Sequence, residues 1–524
     1  MSTTDGAQPQ ASASAHTSAA QPKMPPQIPY IIGNEGCERF SFYGMRNILT
    51  VFLMTSLLLS VPEEFRKAEA KEVFHTFVMG VYFFPLLGGW VADRFFGKYN
   101  TIFWLSLVYC AGHACLALFE NSLHGFYFGL FLISFGSGGI KPLVSSFVGD
   151  QFNQSNRSLA QKVFDGFYWI INFGSFFASL LMPVLLKHYG PSVAFGIPGL
   201  FMGIATFIFW LGRDKYVHVP PAGKDNPHSF LKVVRTALGS GLAGQVMAGL
   251  GAALAAYSIT FHKDLGIVAS VCLGLVLVMG LGGIGAWMQL DGARAKHGDE
   301  PVESVRSVLR LLVLFALVTP FWSLFDQKAS TWVLQANEMT KPGWFESSMM
   351  QSLNPLLVMI LIPFNNLVLY PLVARLGVKV TALRRMATGI AFSGIAWIAA
   401  GSLQLWLDDG QAVSIVWQVL PYALLTFGEV LVSATGLEFA YSQAPLTMKG
   451  TINSFWSLSV TIGNLWVLLA NASVKSPATT ESIKAMGYSV TAFQMFFFAG
   501  FALLAALCFA LYARSYPMKN NYRA

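Results

Sequence analysis

The chain has 524 residues, of which 54% are hydrophobic and only 11% charged, with 44 Phe and a mean hydropathy of +0.53. A soluble domain carries roughly a quarter charged residues, and repeated apolar runs of about twenty residues mark a polytopic helical membrane protein, while the lack of short alternating strands excludes a membrane barrel. The net charge of +8 belongs to loops rather than to a nucleic-acid surface, and five cysteines (Cys37, Cys110, Cys115, Cys272, Cys508), all inside apolar runs, imply no disulfide framework.

Residues 1–29 are rich in Ala, Ser, Gln and Pro and are expected to form a disordered polar tail. No basic stretch followed by an apolar core is present, so no cleaved signal is read. The first span, near 30–59, contains Asn34-Glu-Gly-Cys-Glu-Arg-Phe-Ser-Phe-Tyr-Gly-Met-Arg46. On a helix, Glu35, Glu38, Arg39 and Arg46 fall with Phe42 within about 100° of one another. A charge at membrane depth is costly, so this face looks into protein or a wet cavity. It reads as an ion-pair lock between helices, as working machinery, or as both.

Spans follow near 73–93, 100–119, 122–149, 160–187 and 193–211. After a charged loop come two Gly/Ala-rich spans, near 236–261 and 265–290. A second charged loop, roughly 291–306, precedes six more, near 308–335, 346–373, 382–406, 414–441, 450–473 and 488–514. The expected fold is therefore all-α and polytopic with fourteen spans, as six, a central pair, and six. Alternate loops concentrate bases: Arg94/Lys98, Arg157/Lys162, Arg213/Lys215/Lys224/Lys232/Arg235, Arg294/Lys296/Arg306 and Arg375/Lys379/Arg384/Arg385. The opposite loops are poorer in bases and include Glu63/Glu64 and Asp408/Asp409. The positive-inside rule places both termini in the cytoplasm.

Depth sorts the intramembrane charges. Glu35, Glu38 and Arg39 fall in the inner half of the first span, with Arg46 nearer the middle. Lys141, in Gly136-Ser-Gly-Gly-Ile-Lys-Pro142, lies about 29 Å from the outer end of its span, at a similar depth. A carboxylate partner is expected for it. His75 lies near the outer surface with Tyr82 on the same face. Asp326, roughly 24 Å along a span that starts beside Arg306 and Arg310, is also in the outer half. His75 and Asp326 form a second candidate pair.

The remaining membrane-depth acid is Glu429, in Phe427-Gly-Glu-Val-Leu-Val-Ser. Arg39, Arg46 and Lys141 in one half and Glu429 in the other make a bipolar arrangement. A zwitterion fits between such poles, and two or three residues reach about 7–11 Å end to end. Charge-assisted hydrogen bonds to both termini would select short peptides, with aromatic-lined pockets for side chains. Tyr43, Tyr82, Trp322 and Trp456 are candidate lining residues.

On these residues the chain resembles the proton-dependent oligopeptide transporter family of the major facilitator superfamily. Glu35-Gly-Cys-Glu-Arg-Phe-Ser-Phe-Tyr-Gly is similar to the family signature E-x-x-E-R-F-x-Y-Y-G. Further matches are His75-Thr-Phe-Val, Gly138-Gly-Ile-Lys-Pro, Gly149-Asp-Gln-Phe, Phe167-Tyr-Trp-Ile-Ile-Asn-Phe-Gly-Ser, Phe321-Trp-Ser-Leu-Phe-Asp-Gln and Gly436-Leu-Glu-Phe-Ala-Tyr-Ser-Gln-Ala-Pro445. Gly89-x-x-x-Asp93-Arg94 and Gly97-Lys98 resemble the superfamily's loop motif. Phe42 departs from the signature by deleting a hydroxyl.

The resemblance implies proton-coupled uptake of di- and tripeptides across a bacterial inner membrane by two six-helix bundles, 30–215 and 306–515, with 236–290 inserted between them. It implies that Glu35 and Glu38 are proton-sensitive acids, exchanging partnership among Arg39, Lys141 and substrate. Arg39, Arg46 and Lys141 would face the peptide carboxylate. Asn172, Glu429 and Asn354 would hold its amino terminus, and Tyr43, Tyr82, Tyr168, Trp322 and Trp456 would shape the pocket. His75 and Asp326 resemble an outer proton relay, and Arg310 a basic position tied to coupling. The inserted pair is expected to pack rather than transport. Rival readings are another solute on the same fold (nitrate, an amino acid or a drug), an efflux antiporter, or a non-transporting receptor. No metal-ligand spacing, nucleophile elbow or P-loop appears, so neither an enzyme nor a cofactor beyond the coupling proton is expected.

Overall fold

A computed structural model describes residues 23–152, 159–221, 228–443, 445 and 449–518. Most of the tail expected over 1–29, the loop bases Arg157 and Lys224, and the side chains of Asp93, Arg94 and Lys162 lie outside the described residues. Those described form an all-α polytopic membrane fold with twelve helical stretches that are long and apolar enough to cross a bilayer. They contain no β-sheet, only an isolated bridge between Thr340 and Ser414.

Helix α1 (Ile28–Phe52) opens with proline in its first turn and continues into a π-turn at Leu53–Leu57. Helix α2 (Glu63–Phe83) breaks before Pro85 and resumes as α3 (Pro85–Val91). Helices α4 (Gly97–Leu118) and α5 (Leu123–Asp150) follow. The run α6 (Ala160–Leu211) is bent at Gly190, whose φ of 80° only glycine adopts freely and which Pro191 follows. Next come α7 (Phe230–Gly239), α8 (Leu242–Ser258), the short α9 (His262–Leu265), α10 (Ile267–Met288) and α11 (Arg294–His297).

Helix α12 (Asp299–Gln327) stops one turn short of α13 (Thr331–Glu338). Helix α14 (Leu353–Phe364) passes through a π-turn at Asn365–Leu369 into α15 (Tyr370–Arg375). The chain ends with α16 (Ala382–Asp408), α17 (Val419–Gln443), α18 (Lys449–Val474), α19 (Pro477–Ala485) and α20 (Val490–Ser515).

Packing divides along the chain. Helix α1 lies along α6, α4 between α5 and α6, and α2 against α5. Met45, Ile48, Leu49 and Phe52 of α1 bury themselves there among Phe126, Phe195 and Met202. Farther on, α16 packs between α17 and α20, and α12 lies on α18 and α20. Trp332, Trp397, Tyr422 and Phe498 fill the interior at one end of that group.

Helices α8 and α10 pack chiefly on each other. The span expected over 236–261 is in fact two elements, because the chain breaks at Ser240–Gly241. Phe230 and Val233 of α7 dock with Ala286 and Leu290 on Val302 and Val305. The second charged loop is shorter than expected, since α12 already begins at Asp299. There Arg294 bonds Asp291 at 2.8 Å and Asp299 at 2.6 Å, and Arg306 bonds Asp291 at 2.6 Å. The Arg294 hydrogen bond holds the Asp291 carboxyl below its ordinary range. Its contribution is thus present above that range and is lost as pH falls through the depressed value.

Two regions depend on bare backbone contact. A Cβ at Gly389 of α16 would stand 2.6 Å from the Gly428 carbonyl oxygen, and one at Gly428 of α17 would stand 2.7 Å from the Gly389 oxygen. This reciprocal contact seats the residue after Gly428, which is Glu429. A Cβ at Gly463 of α18 would stand 2.6 Å from the Trp322 Cβ on α12, so that glycine brings Asn464 against Asp326.

The amino-terminal and carboxy-terminal helices are also joined by polar contacts toward the end where α1 finishes. Thr50 donates to the Ala329 carbonyl at 2.8 Å, Gln351 to the Asn47 carbonyl at 3.0 Å, and Lys187 to Glu346 at 2.6 Å. Lys67 pairs with Glu338, and Lys475 with Glu72. Overpacking a close contact costs about 1–3 kcal/mol. Gly389→Ala is therefore expected to lower the melting temperature in detergent by several degrees. Gly249→Ala on α8, where no atom lies within 4 Å, is expected to leave it unchanged. Equal melting of the two variants would contradict the close approach.

Candidate functional site

The charged face of α1 is buried. Glu35, Glu38 and Arg46 are each less than 7% exposed, so their charges are met inside the protein. Arg39 Nε donates to Glu35 Oε1 at 2.6 Å and lies 3.3 Å from Glu38 Oε2. The i,i+4 and i,i+1 spacings thus bring one guanidinium onto two carboxylates. Lys141 of α5 does not complete this cluster as expected. Among the described residues no carboxylate lies within ion-pair distance of it. Its Nζ stands 3.3 Å above the Phe42 ring and 5.3 Å from that of Tyr82. An aromatic face attracts a desolvated ammonium. Phe42, the departure from the signature, thus presents a bare ring to Lys141 and stacks on Phe77 behind.

Arg46 points elsewhere. Its Nη2 bonds Asp326 Oδ1 at 2.6 Å, tying α1 to α12. The other Asp326 oxygen accepts from Asn464 Nδ2 at 2.8 Å. Asn464 Oδ1 then faces His75 Nδ1 at 2.6 Å, and His75 Nε2 faces Ser330 Oγ at 2.9 Å. Because the carboxylate orients the Asn464 amide, His75 Nδ1 carries the hydrogen of that contact, while Nε2 faces the Ser330 hydroxyl, which also lies 3.3 Å from the Gln327 carbonyl oxygen. His75 and Asp326 are therefore not a direct pair: Asn464 separates them. Ser330 occupies the break between α12 and α13, with φ −124° and ψ −77°. Irregular backbone at membrane depth is tolerated where it is buried in protein or lines a cavity.

The same break carries Lys328, a buried cation. Its Nζ donates to Asn354 Oδ1 at 3.0 Å, and Asn354 Nδ2 donates to Glu429 Oε2 at 2.5 Å and to Thr426 Oγ1 at 3.1 Å. The acidic pole is thus not a lone carboxylate but a Lys328–Asn354–Glu429 chain. Tyr43 connects the poles, lying within electrostatic reach of Arg39, Arg46 and Glu429. Tyr168 lies within electrostatic reach of Glu429 and Tyr43. Asn172 turns its amide onto the Tyr168 carbonyl at 3.0 Å. Trp322 and Trp456 meet edge-on with centroids 5.9 Å apart.

One candidate stands apart. Arg310 lies sixteen residues before Asp326 on α12, roughly 24 Å away along the axis. Its guanidinium faces Trp287 of α10 at 5.6 Å, so it meets the helix pair between the two halves rather than the charged chain. Two participants were not anticipated. Lys328 was visible as a cation within an apolar run two residues after Asp326. Asn464 gave no signal, since an uncharged amide in an apolar helix looks like packing. Among the described residues no group of three His, Cys, Asp or Glu side chains is placed to hold a metal ion.

Arg46 and Asp326 thus cross-link the two halves of the chain by a hydrogen bond, and Lys328, Asn354 and Glu429 form a second hydrogen-bonded chain in the carboxy-terminal half. Such a site can hold a ligand charged at both ends and exchange protons among carboxylates, imidazole and bases. The family model described as the POT family matches residues 99–488, and one described as an MFS/sugar transport protein matches residues 15–172. Peptide transporter 3 of Caenorhabditis elegans is 32% identical over 74% of this chain and 51% of its own length. Solute carrier family 15 member 2 of Oryctolagus cuniculus is 33% identical over 74% of this chain and 50% of its own.

The chain spans about half the length of these curated relatives. The crystal structure of the POT family transporter PepTSo is similar with a TM-score of 0.92 and 71% identity, covering 94% of this chain and 99% of that one. An auto-inhibited POT family peptide transporter superposes with a TM-score of 0.92 at 63% identity, covering 95% and 99%. The chain belongs to the proton-dependent oligopeptide (POT) transporter family.

Proposed function

We propose that this protein is a proton-coupled symporter that imports di- and tripeptides across a bacterial inner membrane by alternating access, with both termini cytoplasmic. The observation that carries this reading is the pair of opposite poles, Arg39, Lys141 and Arg46 against Glu429 and Asn354, sharing Tyr43 as a neighbour. The relatives named as peptide transporters support it. Adding α1 and the second arm of α6 beyond Gly190 to the twelve apolar stretches gives fourteen crossings. We read these as two six-helix bundles, 30–215 and 306–515, around the inserted pair 236–290. The polar contacts at the finishing end of α1 close the outer side, so the chamber faces the cytoplasm.

In this scheme the peptide carboxylate takes Arg39 and Lys141, and its ammonium takes Glu429, displacing Lys328 from that pole. Asn172 and Asn354 hold the amino terminus, and Tyr43, Tyr82, Tyr168, Trp322 and Trp456 shape the pocket. Protonation of Glu35 or Glu38 frees Arg39 for substrate, and release of peptide restores the ion pair. On the outer side, the Arg46–Asp326–Asn464–His75 chain locks the bundles together. A proton taken up by Asp326 releases Arg46 and opens that gate, with Asn464 and His75 holding the carboxylate in place. One proton gains about 2.3 kcal/mol per 100 mV and about 1.4 kcal/mol per pH unit, enough to concentrate a neutral peptide by roughly two to three orders of magnitude. Arg310 is left out of this cycle and assigned to docking the inserted pair.

Uptake of a labelled dipeptide into proteoliposomes under an inward proton gradient tests the reading, with tripeptides, free amino acids and nitrate as competitors. Accumulation blocked by tripeptides alone is expected; accumulation blocked by nitrate would overturn it. Glu35→Gln and Lys141→Ala should abolish driven uptake while leaving some counterflow, and full driven uptake in either would contradict the coupling scheme. Glu429→Gln should weaken dipeptide competition by roughly tenfold or more, the worth of a buried charge-assisted hydrogen bond. A silent substitution there would favour a substrate that needs the cationic pole alone. Asn464→Ala should lose driven uptake as Glu35→Gln does, and retention of wild-type rates would show that His75 and Asp326 act without the bridge.

A further inference from the structure

Away from the charged chain, a groove of about 530 Å³ runs between α2, α5 and α10. Its volume falls within the range of ligand pockets, about 300–1,000 Å³, and far above a packing defect. Along α2 it follows one helix face, from Glu69 and Glu72 through Thr76 to Phe83. Its floor is closed where Gly80 lets α5 approach, since a Cβ there would stand 3.1 Å from the Ser134 Cβ. On the other flank Met79 packs with Ala269 and Cys272 of α10 and with Leu465 of α18.

The groove opens toward lipid. Phe131 of α5 and Val268, Val271 and Leu275 of α10 line it and are exposed, and all four lie in stretches long and apolar enough to cross a bilayer. Ser134 Oγ, within it, is spent on the Phe77 carbonyl at 3.1 Å. Among the residues that line the groove, charge is confined to one end, at Glu69 and Glu72. There Lys475 pairs with Glu72 and lies 3.7 Å from Glu69, so one ammonium serves two carboxylates. Tyr127 lies within electrostatic reach of both acids. A Cβ at Gly266, just before α10, would stand 3.4 Å from Glu72 Oε1. The acids therefore sit near the end at which α2, α5 and α10 all begin.

We propose that this groove is a phospholipid site, in which an acyl chain lies along α2 and a primary-ammonium headgroup, that of a phosphatidylethanolamine, sits on Glu69 and Glu72. Length agrees: the lining from Glu69 to Phe84 extends about 22 Å along the axis, and one leaflet with its headgroup layer is roughly 20–22 Å thick. Charge agrees as well. Two carboxylates against one lysine leave this end net negative, which attracts an ammonium and repels an anionic headgroup. The apolar remainder of the groove accepts hydrocarbon without leaving a polar group unmet. The bound chain fills the space that α5 and α10 leave over α2, and so ties the α8–α10 pair to the amino-terminal helices. This site is independent of which solute the protein carries.

The test places the full-length protein in nanodiscs of equal parts phosphatidylethanolamine and phosphatidylglycerol. A trace of one or the other lipid carries a photoreactive group on its acyl chain, and the cross-linked residues are mapped by mass spectrometry. Phosphatidylethanolamine is expected to label Phe131, Val271 and Leu275 roughly two- to fivefold more than phosphatidylglycerol does, the worth of a partly exposed ion pair. Equal labelling by the two lipids overturns the headgroup assignment. Glu69→Gln is expected to bring the two lipids level, and an unchanged preference in that variant also overturns it. Val271→Trp fills the groove from its rim and is expected to remove the label from Phe131. Leu250→Trp, on an exposed part of α8 outside the groove, is the control for folding and is expected to keep it. Labelling of Phe131 at the wild-type level in Val271→Trp overturns the site itself.

Discussion

Charge inside an apolar span must be answered inside the protein, and the first helix carries four such charges. This constraint organises the molecule. Arg39 is met by Glu35 and Glu38 on its own helix, so that group is locally complete. Arg46 finds no acid on α1 and reaches Asp326, 280 residues away in sequence. Removing one partner of a buried pair strands the other at a cost of several kcal/mol. The pair therefore makes the packing of α1 on α12 a condition of stability.

The polar chemistry collects where the helices are interrupted. The turn between α12 and α13 presents Lys328 and Ser330, one toward Asn354 and Glu429 and the other toward His75. Gly463 lets Asn464 meet Asp326, and the Gly389–Gly428 contact seats Glu429. Side chains set the charges, but bare backbone sets their distances. Lys141 is held differently, with the faces of Phe42 and Tyr82 beside it and, among the described residues, no carboxylate within ion-pair distance.

Much of this was legible in the residues. Hydropathy alone gives the all-α membrane class, and helical periodicity puts Glu35, Glu38, Arg39 and Arg46 on one face. Depth estimates bring Lys141 to the level of the charged cluster in the first span. Pair identities were less accessible. His75 and Asp326 do share a level, yet the residue between them, Asn464, is an uncharged amide with no mark in an apolar helix. Arg46 was assigned to substrate because its distance from Asp326 along the axis is not a sequence property. Arg310 sits apart for a related reason: a base at the start of α12 lies about 24 Å from Asp326 along the helix axis. Element ends shifted where a break follows from local geometry, as at Ser240–Gly241, which the Gly/Ala-rich pattern around it conceals.

The central claim is that one chamber recognises both ends of a short peptide. The most direct measurement is calorimetric binding of a dipeptide to the purified protein, beside its N-acetylated form and its carboxy-terminal amide. Each blocked terminus removes one charge-assisted contact, so each derivative is predicted to bind roughly tenfold or more weakly than the parent. Binding of the acetylated or amidated peptide at parental affinity would contradict the account, because the corresponding pole would then not be touching the substrate.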